Sequence, residues 1–261
     1  MHWEIHNGRR VAAGEGGEPS DARGVFETVL LRDGEPMFLE EHLRRYGEGC
    51  AHFGLRSAPP AAELRRAARE LMEANGVPTG VLRWAAWGGA GGAGWSLRVD
   101  PPRPASLKAR WRVEISPTRL PPAGPDSRCK HLGRRLWGEA LAVGRAAGCD
   151  EVLLCDEGGR LVEGAVSNVF CAQEGRLVTP SLDCGPLPGI VRAKVLELAA
   201  QVGLPVAEGV LTAEDLAATE EAFVTNSLAG LKPLGSINGR ILSAPGPATL
   251  LLQEAWTDLY G

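Results

Sequence analysis

The sequence predicts a mixed α/β (α+β) protein in two parts, and three features predict it. Strand and helix signals alternate through roughly the first hundred residues. A proline cluster, Pro101-Pro102-Arg103-Pro104, stands where the composition shifts. A chain of 261 residues is long enough to bury a sizeable core. The reading is a small N-terminal α/β domain over 1–103, a linker over 104–109 and a larger C-terminal domain over 110–261.

The elements follow in order. Val25 to Leu31 is an apolar, β-branched run read as a strand, and Arg32-Asp33-Gly34 is a turn. Leu39 to Phe53 reads as a helix, and so does Ala61 to Asn75, which Gly76 and Pro78 close. Val81 to Trp87 is a buried strand. The run Gly88-Gly89-Ala90-Gly91-Gly92-Ala93-Gly94 is too rich in glycine for regular structure. It lacks both the Walker lysine and the strand-to-helix context of a dinucleotide fingerprint, so it reads as an active-site or hairpin loop. Trp111 to Ile115 is a strand and Gly133 to Gly148 an alanine-rich helix. Short strands are read at Glu151 to Cys155, Gly159 to Val162 and Val169 to Cys171, with a turn at Asp156-Glu157-Gly158-Gly159. A helix opens at Gly189 and runs to about Val202, and Pro188 suits a fixed entry to it.

A net charge of −4 gives no reason to expect nucleic acid or an anionic membrane as partner. The six cysteines form no CxxC pair and no His/Cys ligand spacing, which argues against a zinc or other metal site and suits a reducing cytoplasm. No charged-then-apolar leader opens the chain and no apolar run reaches membrane length. The expectation is a cytoplasmic protein that acts on a small molecule.

Chemistry is concentrated in a few stretches. Val25-Phe26-Glu27-Thr28-Val29-Leu30 and Leu39-Glu40-Glu41-His42-Leu43-Arg44-Arg45 come first, then Cys129-Lys130-His131-Leu132 and Gly148-Cys149-Asp150-Glu151-Val152-Leu153-Leu154. Leu161-Val162-Glu163-Gly164-Ala165-Val166-Ser167-Asn168-Val169-Phe170, Gly185-Pro186-Leu187-Pro188-Gly189-Ile190-Val191-Arg192 and Phe223-Val224-Thr225-Asn226-Ser227 complete the set. In order and spacing these resemble the class IV (fold type IV) aminotransferase family, which includes branched-chain aminotransferases, D-amino acid aminotransferases and 4-amino-4-deoxychorismate lyases. The resemblance spans about residues 20 to 240.

The resemblance implies a homodimeric, two-domain enzyme with pyridoxal 5'-phosphate held between the domains. Lys130 would bind the cofactor covalently and then move protons, while Glu163 would keep its pyridine nitrogen charged. Gly189 and Ile190, at a helix start, would meet the phosphate through backbone N–H groups, with Arg44 and Ser227 as further donors and Leu187 against the ring. Asn168 and Asn226 join the cofactor-binding set, and Thr28 the substrate side. Lys130-His131-Leu132, together with Ala229-Gly230-Leu231-Lys232-Pro233-Leu234, most resembles the lyases, which release pyruvate and 4-aminobenzoate from 4-amino-4-deoxychorismate. The chain departs from them at Gly133, at Arg134, in a shortened loop at Asp21-Ala22-Arg23-Gly24, and at Gly88 and Ala93, where lyases often carry arginines. Arg83 or Lys232 would then hold the substrate carboxylates. The alternatives are a branched-chain or D-amino acid aminotransferase, or a cofactor-binding protein without turnover.

Overall fold

The structure, a computed structural model, describes residues 2–14, 22–55, 60–89, 92–102 and 108–260. Asp21 of the shortened loop, Ala90 and Gly91 of the glycine run and 104–107 of the linker lie outside the described residues. The fold is mixed α/β, and contacts group the chain into two units: Met1–Ser106 with Cys129–Arg134, and Leu107–Arg128 with Arg135–Gly261.

The first unit contains β1 (Trp3–His6), β2 (Arg9–Ala12), β3 (Arg23–Arg32), β4 (Glu35–Pro36), α1 (Leu39–Phe53), α2 (Ala61–Asn75), β5 (Gly80–Gly88) and β6 (Gly94–Asp100). Its six strands lie in the order β2-β1-β6-β5-β3-β4. Asp33 at φ 50° and Gly34 at φ 80° make the tight turn from β3 to β4, the backbone that suits a two-residue hairpin. Alternation along β3 turns Val25, Val29 and Leu31 toward Leu39 and Tyr46 of α1 and Leu64 and Leu71 of α2, and leaves Phe26 and Thr28 on the opposite face. Glu27 therefore enters the packed side.

The second unit contains β7 (Trp111–Leu120), α3 (Arg135–Ala146), β8 (Glu151–Asp156), β9 (Leu161–Gly164), β10 (Asn168–Gln173), β11 (Arg176–Pro180), α4 (Ile190–Gln201), β12 (Val206–Gly209), α5 (Ala213–Ala218), β13 (Ala222–Asn226), β14 (Gly230–Ile237), β15 (Arg240–Ile241) and α6 (Pro247–Tyr260). Nine strands form one sheet, in the order β12-β11-β10-β13-β14-β7-β8-β9 with β15 beside β14. Trp111, Leu153, Val169, Val224 and Leu234 pack on one face. On the other, Phe170 and Phe223 stack with ring centroids 4.9 Å apart, packed with Val195 and Leu198 of α4 and Leu252 of α6.

Some boundaries differ from the sequence reading, each for a local reason. β7 continues past Ile115 to Leu120, because the register shifts between Ile115 and Arg119 and accommodates Pro117 at that irregularity. β9 starts at Leu161 rather than Gly159, because Gly159, at φ 80°, finishes the turn by donating its N–H to the Asp156 carbonyl. The segment around Lys130 groups with the first unit, not with the region 110–261 to which the sequence reading assigned it. The Phe26 N–H donates to the Lys130 carbonyl at 2.9 Å, the Leu132 N–H donates to the Gly24 carbonyl at 2.8 Å, and Val25 bridges His131. Backbone pairing to the edge of β3 is what fixes it there.

Candidate active site

Residues of the candidate site gather at one place in each unit. In the first, Lys130 is seated beside Phe26 by the backbone pairs just described, and its Nζ lies 4.8 Å from the Phe26 ring centroid. The Arg83 guanidinium lies 4.0 Å from the same centroid. Arg83 stands directly across from Thr28 in the β3–β5 register. Lys130 and Arg83 are thereby brought to one aromatic ring, whose negative π-faces attract cations, with Thr28 across the strand pair from Arg83.

Beneath this strand, Glu27 is fully buried. The Arg45 Nε donates to Glu27 Oε1 and the Arg45 Nη2 to Oε2, each at 2.8 Å, and His42 Nδ1 lies 2.7 Å from Oε2. Burial alone would raise the Glu27 pKa, but the charges and hydrogen bonds of Arg45 and His42 outweigh it and hold the carboxyl well below the usual carboxylate range. Burial also lowers the His42 pKa, against the pull of Glu27. The two arginines of α1 are placed oppositely. Arg44 is 69% exposed in its side chain and pairs with Glu48 one turn on, whereas Arg45 is 7% exposed. Counting from His42, the arginine that completes the His-Leu-x-Arg pattern is Arg45, and the sequence reading selected its neighbour.

In the second unit, Glu163 is only 2% exposed and both of its oxygens are engaged. Trp137 Nε1 donates to Oε1 at 2.9 Å and the Leu187 N–H donates to Oε2 at 3.0 Å. Asn168 Nδ2 donates to the Leu187 carbonyl at 2.9 Å, so Leu187 is tied by both backbone groups. Gly189 precedes α4 with no side-chain cap on the helix. A Cβ there would overlap Asn168 Oδ1, so only glycine lets the backbone come this close. Directly across from Asn168 on β13 is Thr225, whose hydroxyl is buried without a hydrogen-bond partner among the described residues. An uncapped helix start, a glycine approach and an orphan buried hydroxyl suit a phosphate, and a buried, oriented carboxylate suits a pyridine nitrogen.

Other expected residues are placed less directly. Asn226 Oδ1 accepts from the Leu228 and Ala229 amides at 3.0 and 2.8 Å, shaping the turn into β14 that also carries Ser227. The Lys232 Nζ donates to the Lys108 carbonyl at 2.7 Å. Gly88 closes β5 and Ala93 is exposed just before β6. Sequence reasoning missed Thr225, Trp137 and Arg45. Only Arg45 had a local signal, the spacing from His42; the others depend on strand register and helix packing.

A family model described as amino-transferase class IV matches residues 24–237. A branched-chain-amino-acid aminotransferase from Pseudomonas aeruginosa is 28% identical over 265 residues, covering 90% of this chain and 83% of its own, and most of the curated relatives carry that name. Among solved structures, the branched-chain aminotransferase of Thermoproteus uzoniensis, determined with norvaline, matches with a TM-score of 0.84 at 25% identity over 97% of this chain and 93% of that one. A protein described as a candidate 4-amino-4-deoxychorismate lyase, from Legionella pneumophila, matches with a TM-score of 0.81 at 21% identity over 90% of each chain, a likeness of fold.

Proposed function

Since the chain belongs to the class IV aminotransferases, we propose that it is a pyridoxal 5'-phosphate enzyme that converts 4-amino-4-deoxychorismate to 4-aminobenzoate and pyruvate. Bound pyridoxal phosphate supplies an aldehyde that condenses with amines and a ring that accepts electron density. The residues of this chain do the rest. Lys130 offers the amine for covalent attachment, and that amine then removes the proton from the amine-bearing carbon of the substrate. Glu163, oriented by Trp137 and the Leu187 amide, keeps the ring nitrogen charged. The Gly189 and Ile190 amides, Ser227 and Thr225 serve the phosphate, with Arg45 in place of Arg44 as the basic residue.

The observation that carries the lyase reading is that Arg83 and Lys130 contact the same Phe26 ring, so the cluster that holds the reactive amine also holds a cation for a substrate that bears carboxylates. Lys130-His131-Leu132 and Asn226-Ser227-Leu228-Ala229-Gly230 support it by their resemblance to the lyases. The names of the relatives favour a second reading, a branched-chain aminotransferase using the same Lys130 and Glu163. Incubation with aminodeoxychorismate alone separates the two. The lyase releases pyruvate and 4-aminobenzoate with no amino acceptor, whereas sustained turnover only of branched-chain amino acids with a keto acid present overturns it.

A further inference from the structure

Glu151 is a fully buried carboxylate with no role in the site as described. Its Oε1 accepts from the Val152 and Ala165 amides at 2.9 and 3.1 Å, and its Oε2 accepts from the Val166 amide at 3.0 Å and the Ser167 hydroxyl at 2.8 Å. Its environment therefore supplies donors alone, and among the described residues no ion pair joins it. Ala165, Val166 and Ser167 lie in the link between Glu163, near the end of β9, and Asn168, the first residue of β10. The link is closed by a hydrogen bond from the Gly164 N–H to the Ser167 carbonyl at 2.8 Å. A Cβ on Gly164 would collide with the Ser167 hydroxyl and press on the Glu151 carboxylate, so the wrap around that carboxylate is tight.

Both ends of the link reach the same residue: Glu163 accepts from the Leu187 amide and Asn168 donates to the Leu187 carbonyl. We propose that Glu151 is a positioning residue, whose carboxylate fixes the link and thereby sets the pose of the Glu163 carboxylate and the Asn168 amide against Leu187. Stability alone does not account for an acid here. Burial raises its pKa to about 7 despite the donors, so the ionised form that organises the link is the costly one. The consequence for catalysis rests on the cofactor reading above; the effect on the link does not.

The test uses Glu151→Gln, which turns one acceptor oxygen into a donor, and Ser167→Ala, which removes a single donor and leaves the fold in place. Hydrogen exchange of the peptide spanning 161–170, in the protein without added cofactor, should accelerate about tenfold in Ser167→Ala, the scale of one lost charge-assisted hydrogen bond, with distant peptides unchanged. In protein loaded with pyridoxal phosphate, both variants should retain the cofactor but shift the pH midpoint of its visible band and lower kcat more than they raise KM. If Glu151→Gln fails to fold, Ser167→Ala decides. Unchanged exchange in the folded variants overturns the proposal, as does faster exchange with a wild-type cofactor titration, which would mark a tie that is structural only. Failure of the wild type to bind pyridoxal phosphate would sink the functional reading and leave the exchange result to judge the link.

Discussion

At Glu163 the two carboxylate oxygens are held by different partners, an indole N–H and a backbone amide, and this makes the residue a fixed charge. Replacement by glutamine keeps the shape and removes the charge. Glu163→Gln should retain bound pyridoxal phosphate while kcat falls by about two orders of magnitude, and unchanged turnover would remove the residue from the mechanism. Lys130→Ala should abolish the borohydride-reducible link to the cofactor and its visible absorbance, since this amine is the one seated by backbone pairing to β3; persistence of the band would point to another lysine. Of the candidate carboxylate partners, Arg83 shares an aromatic ring with Lys130, while the Lys232 ammonium is engaged by the Lys108 carbonyl. Arg83→Leu should lower kcat/KM for aminodeoxychorismate by about one to two orders of magnitude, with Lys232→Ala closer to wild type. The reverse ranking in steady-state kinetics would reassign the role.

At the scale of elements, the entry to α4 is decided by glycine. Gly189→Ala drives a methyl into Asn168 and so disturbs the strand that pairs with Thr225 as well as the helix start. Its affinity for pyridoxal phosphate, read by titrating the apoprotein, should fall at least about tenfold, and an unchanged affinity would separate the helix start from the phosphate. This element also shows how far the sequence could be read. Helices with a strong apolar stripe and glycine closures, α1 and α2, were legible to the residue, and the turn read at Arg32-Asp33-Gly34 falls on the β3–β4 hairpin one residue wide of its Asp33-Gly34 loop. β1, β2 and β6 were not legible, because β1 and β2 bury no side chain fully, β6 buries Leu97 and Val99 alone, and their pairing, as between Glu4 and Arg98, joins distant stretches of chain. Lys130, Glu163 and Gly189 could be picked out because each sits in a short local pattern. Thr225 and Trp137 could not, because what makes them matter is the residue across the sheet or the helix above it.

Across the whole molecule, two buried glutamates make stability depend on pH in opposite senses. The folded pKa of Glu27 lies well below its ordinary 4.5, so its contribution is present above about pH 4.5 and is lost as pH falls. The folded pKa of Glu151 is raised from 4.5 to about 7, so its effect on stability is most favourable in acid and declines as pH rises between those values, by about 3 kcal/mol over the full span. The lowered pKa of buried His42 works the other way over part of that range, so the Glu151 effect is read as a difference: between pH 5 and pH 8 the denaturant midpoint of Glu151→Gln should rise relative to that of the wild type, and a gap that does not change with pH would mean Glu151 ionises normally. The pairing of the Lys130 segment with β3 has a kinetic consequence as well. Residues 24–26 and 130–132 meet only after a loop of roughly a hundred residues has closed, so the entropy of that closure must be met before the reactive lysine is in place. A fragment starting at residue 110 retains Lys130 and lacks the strand that seats it. In refolding, competence to bind the cofactor covalently should thus appear late, after the hairpins and helices that need no such closure have already formed.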